Sequence, residues 1–118
     1  MSEIRHYLFV CHANMDRSPT AEAVCNRMAR EHNLPIEASS AGVSPGANRP
    51  ITKEIAEQAD KIFVMEERMK DEIVDTYGQD PAKVVCFDIA DAYFQNDPVL
   101  VQRLEKKLRT HLTEEGLI

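Results

Sequence analysis

A cysteine and an arginine separated by five residues occur near the start of the chain, in the segment CHANMDRSP. Two of the residues between them, Ala13 and Asn14, are small or tolerant of turns, so the loop can curl until successive backbone N–H groups point to one centre. Such a nest binds an anion, and Arg17 can grip two oxygens of a phosphate group at once. The spacing alone is common, but the apolar segment before it and the Ser-Pro pair after it favour an anion site.

Cys11 is the predicted reactive group of this loop. A thiol beside an arginine and the N-terminus of a helix favours the thiolate, which is the nucleophilic form. A thiolate in a phosphate cradle is placed for in-line attack on phosphorus, which gives a covalent phosphocysteine. Ser18 can then donate a hydrogen bond that helps the thiolate leave in the second step. The contrasting interpretation is a buried thiol at a strand end, with Arg17 as a surface charge.

The residues that follow Cys11 are the predicted walls of the anion site. The expected substrate contacts are His12, Ala13, Asn14, Met15, Asp16, Arg17 and Ser18. Asp16 is the unexpected member, because a carboxylate that points at a phosphate group repels it. Its side chain must therefore point outward, pair with a cation or accept hydrogen bonds from backbone amides at the rear of the loop. The sequence leaves these alternatives open.

Alternating short apolar strands and amphipathic helices are predicted to position the loop. The strands are expected at residues 6–10, 36–42, 61–65 and 83–87. The helices are expected from residue 18 onward, over 52–59, over 66–77 and from 99 onward. This alternation favours an α/β fold, a three-layer sandwich in which a four-stranded parallel sheet has helices on both faces. The loops after strands one and four then lie at the carboxyl edge of the sheet, where ligands bind.

The first helix has clear start signals and an apolar stripe. Ser18 is its predicted N-cap, and Pro19 is its predicted first residue. The stripe consists of Ala21, Val24, Cys25, Met28 and Ala29. Cys25 is therefore predicted to be a core residue, and Cys86 is given the same role because it lies inside an apolar strand.

The composition restricts the class of protein. A chain of 118 residues with 43% hydrophobic residues predicts one domain over residues 1–118 with its own core. The formal net charge of −6 argues against nucleic acid or an anionic membrane as the main partner. Three cysteines without a C-x-x-C pair fit a reducing compartment, and neither a signal peptide nor a membrane-spanning segment is recognised. We therefore expect a cytoplasmic protein.

Three aspartates after the fourth strand are candidates for a general acid. A proton donor on the leaving oxygen helps a phenolate to depart from phosphorus, and the same carboxylate can then activate water. Asp88 follows the strand directly, and Asp91 lies in the segment IADAY. Asp97 precedes Pro98, a pattern that also fits the N-cap of the last helix. Tyr93 is predicted either to stack on a substrate ring or to fill the core beneath the loop.

These motifs together resemble the low-molecular-weight protein tyrosine phosphatase family, in which C-x-G-N-x-C-R-S-P lies between a strand and a helix. The residues that match this motif are Cys11, Asn14, Arg17, Ser18 and Pro19. The segments SSAG, ADKIFVM and DIADAY resemble later parts of the family, so the resemblance covers essentially the whole chain. The chain looks most similar to a short bacterial branch of predicted tyrosine phosphatases.

The resemblance implies the family's fold and a set of catalytic residues. It implies that Cys11 is the nucleophile, that Arg17 and the loop amides hold phosphate, and that Asp91 is the acid, without a metal or other cofactor. Three positions depart from the family pattern: Ala13 replaces a glycine, Asp16 replaces a second cysteine, and Ala92 replaces a proline after the acid.

The favoured function is hydrolysis of phosphotyrosine in a protein, or of a small aryl phosphate, with inorganic phosphate as the product. A non-catalytic phosphate- or phosphopeptide-binding module is the alternative if Asp16 or the altered acid segment has abolished turnover. An arsenate reductase, which shares the fold and loop of the family, is a third candidate. That chemistry requires resolving cysteines, and Cys86 is the one candidate near the site.

Overall fold

The computed structural model describes residues 3–118 and contains a four-stranded parallel sheet in the order β2-β1-β3-β4. The strands are β1 (Arg5–Cys11), β2 (Ile36–Gly42), β3 (Lys61–Val64) and β4 (Val84–Cys86). The helices are α1 (Arg17–Glu31), α2 (Lys53–Gln58), α3 (Glu67–Asp75) and α4 (Pro98–Glu114), and a 3-10 turn over Pro81–Lys83 precedes β4.

Helices cover the sheet on both faces, as the alternation of elements predicts. α1 packs against β1, β2 and α4, whereas α3 packs against β3 and β4. The chain leaves β1 for β2 and then crosses back to β3 on the other side of β1. The strand order therefore reverses between β1 and β3, and the loops that follow these strands open a crevice at that point.

The middle of the sheet is fully buried. Every side chain of Tyr7–Cys11 and of Ile62–Val64 is buried, which explains why both strands are continuous apolar runs. The rings of Phe9 and Phe63 stack across these strands with 4.9 Å between their centroids. The loop after β1 is therefore attached to a rigid part of the molecule.

The start of α1 differs from the prediction. The helix begins at Arg17 and its N-cap is Asp16, so the prediction of Ser18 as the N-cap was wrong. The reason is that the Ser18 hydroxyl is engaged by the Cys11 thiol and the Asn14 amide. Pro19 lies in the first turn, where its missing N–H has no partner within the helix to lose. The predicted apolar stripe of α1 is confirmed, because all five of its residues are buried.

α4 is the longest helix and packs one face on the rest of the molecule. Its buried residues are Leu100, Leu104, Leu108, His111 and Leu112. Its other face carries exposed charged side chains, which is the pattern of an amphipathic surface helix. Over residues 3–118, no helix combines the length and the apolar character needed to cross a membrane.

Candidate active site

The loop after β1, residues 11–17, borders a small open cavity of about 150 Å³. The cavity is lined by Cys11, His12, Ala13, Met15, Asp16, Arg17 and Asp91. Two other predicted contacts, Asn14 and Ser18, are buried and do not appear in this lining. Asn14 has a φ of 54°, a left-handed conformation that fits the prediction of a turn-tolerant residue at this position.

Backbone hydrogen bonds turn the carbonyl groups of this loop away from the cavity. The carbonyl oxygens of Cys11, His12 and Ala13 accept N–H groups from the segment 43–48 that follows β2, at 2.9 to 3.1 Å. The side-chain amide of Asn48 donates to the Asn14 carbonyl at 3.0 Å. In a trans peptide each carbonyl points opposite to the next N–H, so the amides of residues 12–15 face away from this segment. That is the orientation that an anion nest requires.

Gly42, at the end of β2, permits this packing. A Cβ atom at this position would lie 2.7 Å from the His12 carbonyl oxygen and 2.9 Å from the Asn14 nitrogen. Any other residue would therefore push the loop out of place. The glycine of the SSAG segment therefore allows the backbone of the Cys11–Arg17 loop to approach β2 closely.

A short polar network lies beneath the cavity. The Cys11 Sγ atom is 3.0 Å from Ser18 Oγ, and the Asn14 side-chain amide donates to the same hydroxyl oxygen at 2.9 Å. The hydroxyl has a single proton, which it can give to Cys11 or to the Ala41 carbonyl at 3.4 Å. A Cys11 thiolate can only accept, so it takes this proton in the shorter contact. Ser18 is therefore placed to stabilise the thiolate.

The Arg17 side chain is buried, with 2% of its surface exposed, and is held by two other loops. Its Nη1 atom donates to Glu66 Oε2 at 2.8 Å and to the Ile89 carbonyl at 2.7 Å. Its Nε atom lies 3.7 Å from Asp91 Oδ1. The interpretation of Arg17 as a surface charge is thereby excluded, although Cys11 is indeed a buried thiol at a strand end.

Glu66 is a site residue that the sequence analysis missed. Burial disfavours ionisation of its carboxyl group, but hydrogen bonds from Arg17 and Arg68 outweigh that effect and lower the pKa of Glu66. A carboxylate is thus available to compensate the buried guanidinium. The sequence held one signal for this role, because Glu66 follows β3 at the same sheet edge as Cys11.

The structure separates the three candidate aspartates. Asp91 lines the cavity, and its side chain is 64% exposed. Asp88 is exposed and lines a different cavity, between β4 and α4. Asp97 is the N-cap of α4, where its carboxylate accepts the Val99 N–H at 2.8 Å. Asp91 is therefore the one of the three that lies with Cys11 and Arg17.

Replacing Asp97 by alanine is expected to destabilise the protein by about 1 kcal/mol, because the N-cap of α4 is lost. The measurement is the free energy of unfolding in urea. Asp97→Ser keeps a capping oxygen and should restore most of the stability. Turnover of an aryl phosphate should survive both changes, and its loss in the stable serine variant would identify Asp97 as an acid.

Tyr93 is not part of the cavity lining. It is partly buried against the core, and the Arg103 guanidinium lies over its ring, 6.0 Å from the centroid. The exposed large apolar side chains of these two loops are Met15, at 56%, and Phe94, at 83%. Of these, Met15 lines the cavity.

The other two cysteines lie away from the cavity. Cys25 is buried, and burial raises the pKa of its thiol to about 12, so it is a core residue as predicted. Cys86 is partly buried against the core, and burial raises the pKa of its thiol as well. Cys86 pairs with Val64, which pairs with Val10. Two strand spacings put its Cα about 10 Å from that of Cys11, beyond the ~7 Å that a disulfide spans.

The fold and the loop together define an α/β protein in which a cysteine and an arginine border one small cavity at the carboxyl edge of the sheet. The family is indicated by residues 6–57, which match the model of the low molecular weight phosphotyrosine protein phosphatases. This stretch covers the Cys11–Arg17 loop and the elements on both sides of it. The predicted resemblance and the predicted enzyme class, a phosphatase, are confirmed by this match. No curated protein sequence matches the chain.

Solved structures show the same fold. A YwlE mutant from Bacillus subtilis is 24% identical, with a TM-score of 0.77 over 95% of this chain and 99% of that chain. A low molecular weight protein tyrosine phosphatase from T. tengcongensis is 23% identical, with a TM-score of 0.76 over 94% and 99%. The tyrosine phosphatase Wzb from Escherichia coli K30, in complex with phosphate, is 22% identical, with a TM-score of 0.77 over 94% and 98%.

Proposed function

We propose that this protein hydrolyses phosphotyrosine or aryl phosphate monoesters through a phosphocysteine intermediate. The observation that carries the proposal is the cavity that brings Cys11, Arg17 and Asp91 together from two loops. These residues supply a nucleophile, a phosphate clamp and a proton donor, which are the groups that the reaction requires. Because Cys11 acts as a reduced thiol, we place this activity in the cytoplasm.

In the first step, the Cys11 thiolate attacks phosphorus while the bond to the phenolic oxygen breaks. Asp91 gives its proton to that oxygen, so the leaving group departs as a neutral phenol. The charge on the transferring group is balanced by Arg17 and by the amides of residues 12–15. The product of this step is a phosphocysteine.

In the second step, a water molecule attacks the phosphocysteine. The Asp91 carboxylate, now deprotonated, takes a proton from the water. The sulfur–phosphorus bond breaks, inorganic phosphate leaves, and the thiolate accepts the hydrogen bond of Ser18. The Ser18–Cys11 contact at 3.0 Å therefore matters most when the thiolate is the leaving group.

The guanidinium of Arg17 is suited to bind phosphate because its hydrogen bonds to the rest of the protein are made by one of its three nitrogens. Both structural hydrogen bonds, to Glu66 and to the Ile89 carbonyl, are made by Nη1. The edge formed by Nε and Nη2 is then the one offered to two phosphate oxygens. Asp91, which lies near Nε, is close enough to reach the leaving oxygen of a phosphate group held there.

The arsenate reductase interpretation is disfavoured by the place of Cys86. Its Cα is about 10 Å from that of Cys11, with β3 between the two strands. A disulfide between them would require the sheet to open. Phosphotyrosine fits better, because the exposed Met15 at the cavity offers an apolar contact for a phenyl ring.

The test of this proposal is metal-independent hydrolysis of two aryl phosphates by the reduced protein. We expect Asp91→Asn to lower kcat for phenyl phosphate by about 10²-fold, because phenolate is a poor leaving group that needs a proton. The loss should be smaller for p-nitrophenyl phosphate, whose leaving group is stable as an anion.

Asp88→Asn is the matched control. It makes the same chemical change in the same loop, and asparagine tolerates the positive φ of 54° at this position. This variant should keep the wild-type dependence on the leaving group. Phosphate binding without any turnover would instead favour a binding module, and an equal loss for both substrates in Asp91→Asn would remove Asp91 as the acid.

A further inference from the structure

We propose that Asp16 is a positioning residue that fastens the β4–α4 loop, residues 87–97, and thereby sets Asp91 over the cavity. This inference rests on the proposed function and assigns a role to the position that departs most from the family pattern. It also explains how a carboxylate can lie beside an anion site.

The Asp16 carboxylate reaches across to the β4–α4 loop. Its Oδ1 atom accepts the backbone N–H of Gln95 at 2.9 Å, a contact between residues 79 positions apart. A second bond lies beside it, because Thr20 Oγ1 accepts the Asn96 N–H at 2.9 Å. The Thr20 hydroxyl proton is given to the Asp16 carbonyl oxygen at 2.7 Å, so the two contacts form one connected clasp.

This contact replaces the ordinary role of an aspartate at its position. Asp16 is the N-cap of α1, where an aspartate usually accepts an N–H from the first turn of its own helix. Its side chain makes no such capping bond. The carboxylate is instead directed to Gln95, so a local bond is exchanged for one that ties two loops together.

The clasp matters because the β4–α4 loop lacks helix and strand along its length. Its other anchor is Ile89, which is buried, donates its N–H to the Met65 carbonyl at 2.9 Å and accepts from Arg17. Asp91 lies between the Ile89 anchor and the Gln95 clasp, and its side chain is mostly exposed. Tyr93 also packs against the core, but the clasp supplies the hydrogen bonds to the start of α1 that fix the backbone on the C-terminal side of Asp91.

The orientation of the Asp16 side chain also partly compensates its negative charge. Turning towards a backbone amide gives the carboxylate a charge-assisted hydrogen bond. Of the alternatives left open by the sequence, a bond to a backbone amide is the one observed. The amide belongs to the β4–α4 loop, however, and not to the rear of the Cys11–Arg17 loop.

The first experiment measures hydrogen exchange of the Gln95 amide by NMR in two variants. Asp16→Asn keeps an acceptor oxygen at the same reach, so exchange should stay near the wild-type rate. Asp16→Ser is one bond shorter and is a good N-cap for α1, so the protein should fold while the bond to Gln95 is lost and the Thr20–Asn96 bond remains. We expect exchange at Gln95 to rise about tenfold in Asp16→Ser.

The second experiment measures turnover of the two aryl phosphates. Asp16→Ser should lower kcat for phenyl phosphate by about tenfold, with a smaller effect on p-nitrophenyl phosphate and on KM, because a misplaced acid costs rate. In the Asp91→Asn background, the same change should have no further effect on kcat. Asp16→Asn, which keeps the acceptor oxygen, should have most of the wild-type kcat.

Each outcome decides between explanations. Unchanged Gln95 exchange in Asp16→Ser would overturn the clasp, whatever happens to turnover. Equal effects of Asp16→Asn and Asp16→Ser would show that the charge of Asp16 matters and that its hydrogen bond does not, which would also overturn the clasp. A wild type without turnover whose Gln95 exchange still depends on Asp16 would overturn the proposed function and the catalytic consequence of the clasp, while the structural contact itself would stand.

Discussion

Replacing Cys11 by serine is expected to lower kcat for aryl phosphates by about 10⁴-fold or more. A serine hydroxyl remains protonated near neutral pH, so it is a poor nucleophile without a base to activate it. In the structure, Cys11 Sγ faces Ser18 Oγ, whose own proton is available to stabilise a thiolate. The exchange of sulfur for oxygen changes the volume little, so the cradle around the site should persist.

The measurement combines turnover with phosphate binding. Cys11→Ser should still bind inorganic phosphate in a calorimetric titration, because the loop amides and Arg17 are unchanged. Cys86→Ser is the matched control, since it makes the same substitution at a partly buried thiol two strands away. The control should keep turnover. Activity in Cys11→Ser would rule out a phosphocysteine, and loss of thiol-dependent arsenate reduction in Cys86→Ser would restore the reductase hypothesis.

The Cys11–Arg17 loop could be predicted from the sequence because its information is local. Each local feature follows from residue types within about two helical turns of one another in the chain. These features are the strand before the loop, the left-handed Asn14 and the buried stripe of α1. The same local reasoning failed for Ser18. Its hydroxyl looked like a helix cap, but a thiol seven positions earlier and the Ala41 carbonyl bind it instead.

The residues that hold the site in place could not be predicted from local sequence patterns. Glu66 meets Arg17 across 49 positions, and Asp16 meets Gln95 across 79. Such pairs depend on how the loops after β1, β3 and β4 converge at one sheet edge, which the pattern of strands predicts only in outline. Tyr93 shows the reverse problem, because its place beside Asp91 in the sequence does not bring it to the cavity.

Replacing Arg17 by lysine is expected to lower kcat/KM for aryl phosphates by about 10²–10³-fold, although the positive charge is kept. The arginine uses Nη1 for Glu66 and the Ile89 carbonyl, and in the proposed mechanism its other edge binds phosphate. Lysine has a single nitrogen on a flexible stem and cannot present two parallel donors to phosphate. Affinity for inorganic phosphate should fall together with turnover.

Arg68→Lys provides the matched control for this prediction. Arg68 also contacts Glu66, with 3.2 Å between its Nε atom and Oε1, but it is largely exposed and does not line the cavity. Its replacement should leave kcat/KM unchanged. If Arg17→Lys behaved like Arg68→Lys, then Arg17 would serve only as a counter-ion for Glu66. The single ammonium group of a lysine at position 17 must either stay with Glu66 and the Ile89 carbonyl or turn to the substrate. The expected loss of kcat/KM therefore measures how much turnover depends on one guanidinium that holds Glu66 and the Ile89 carbonyl and binds the substrate at the same time.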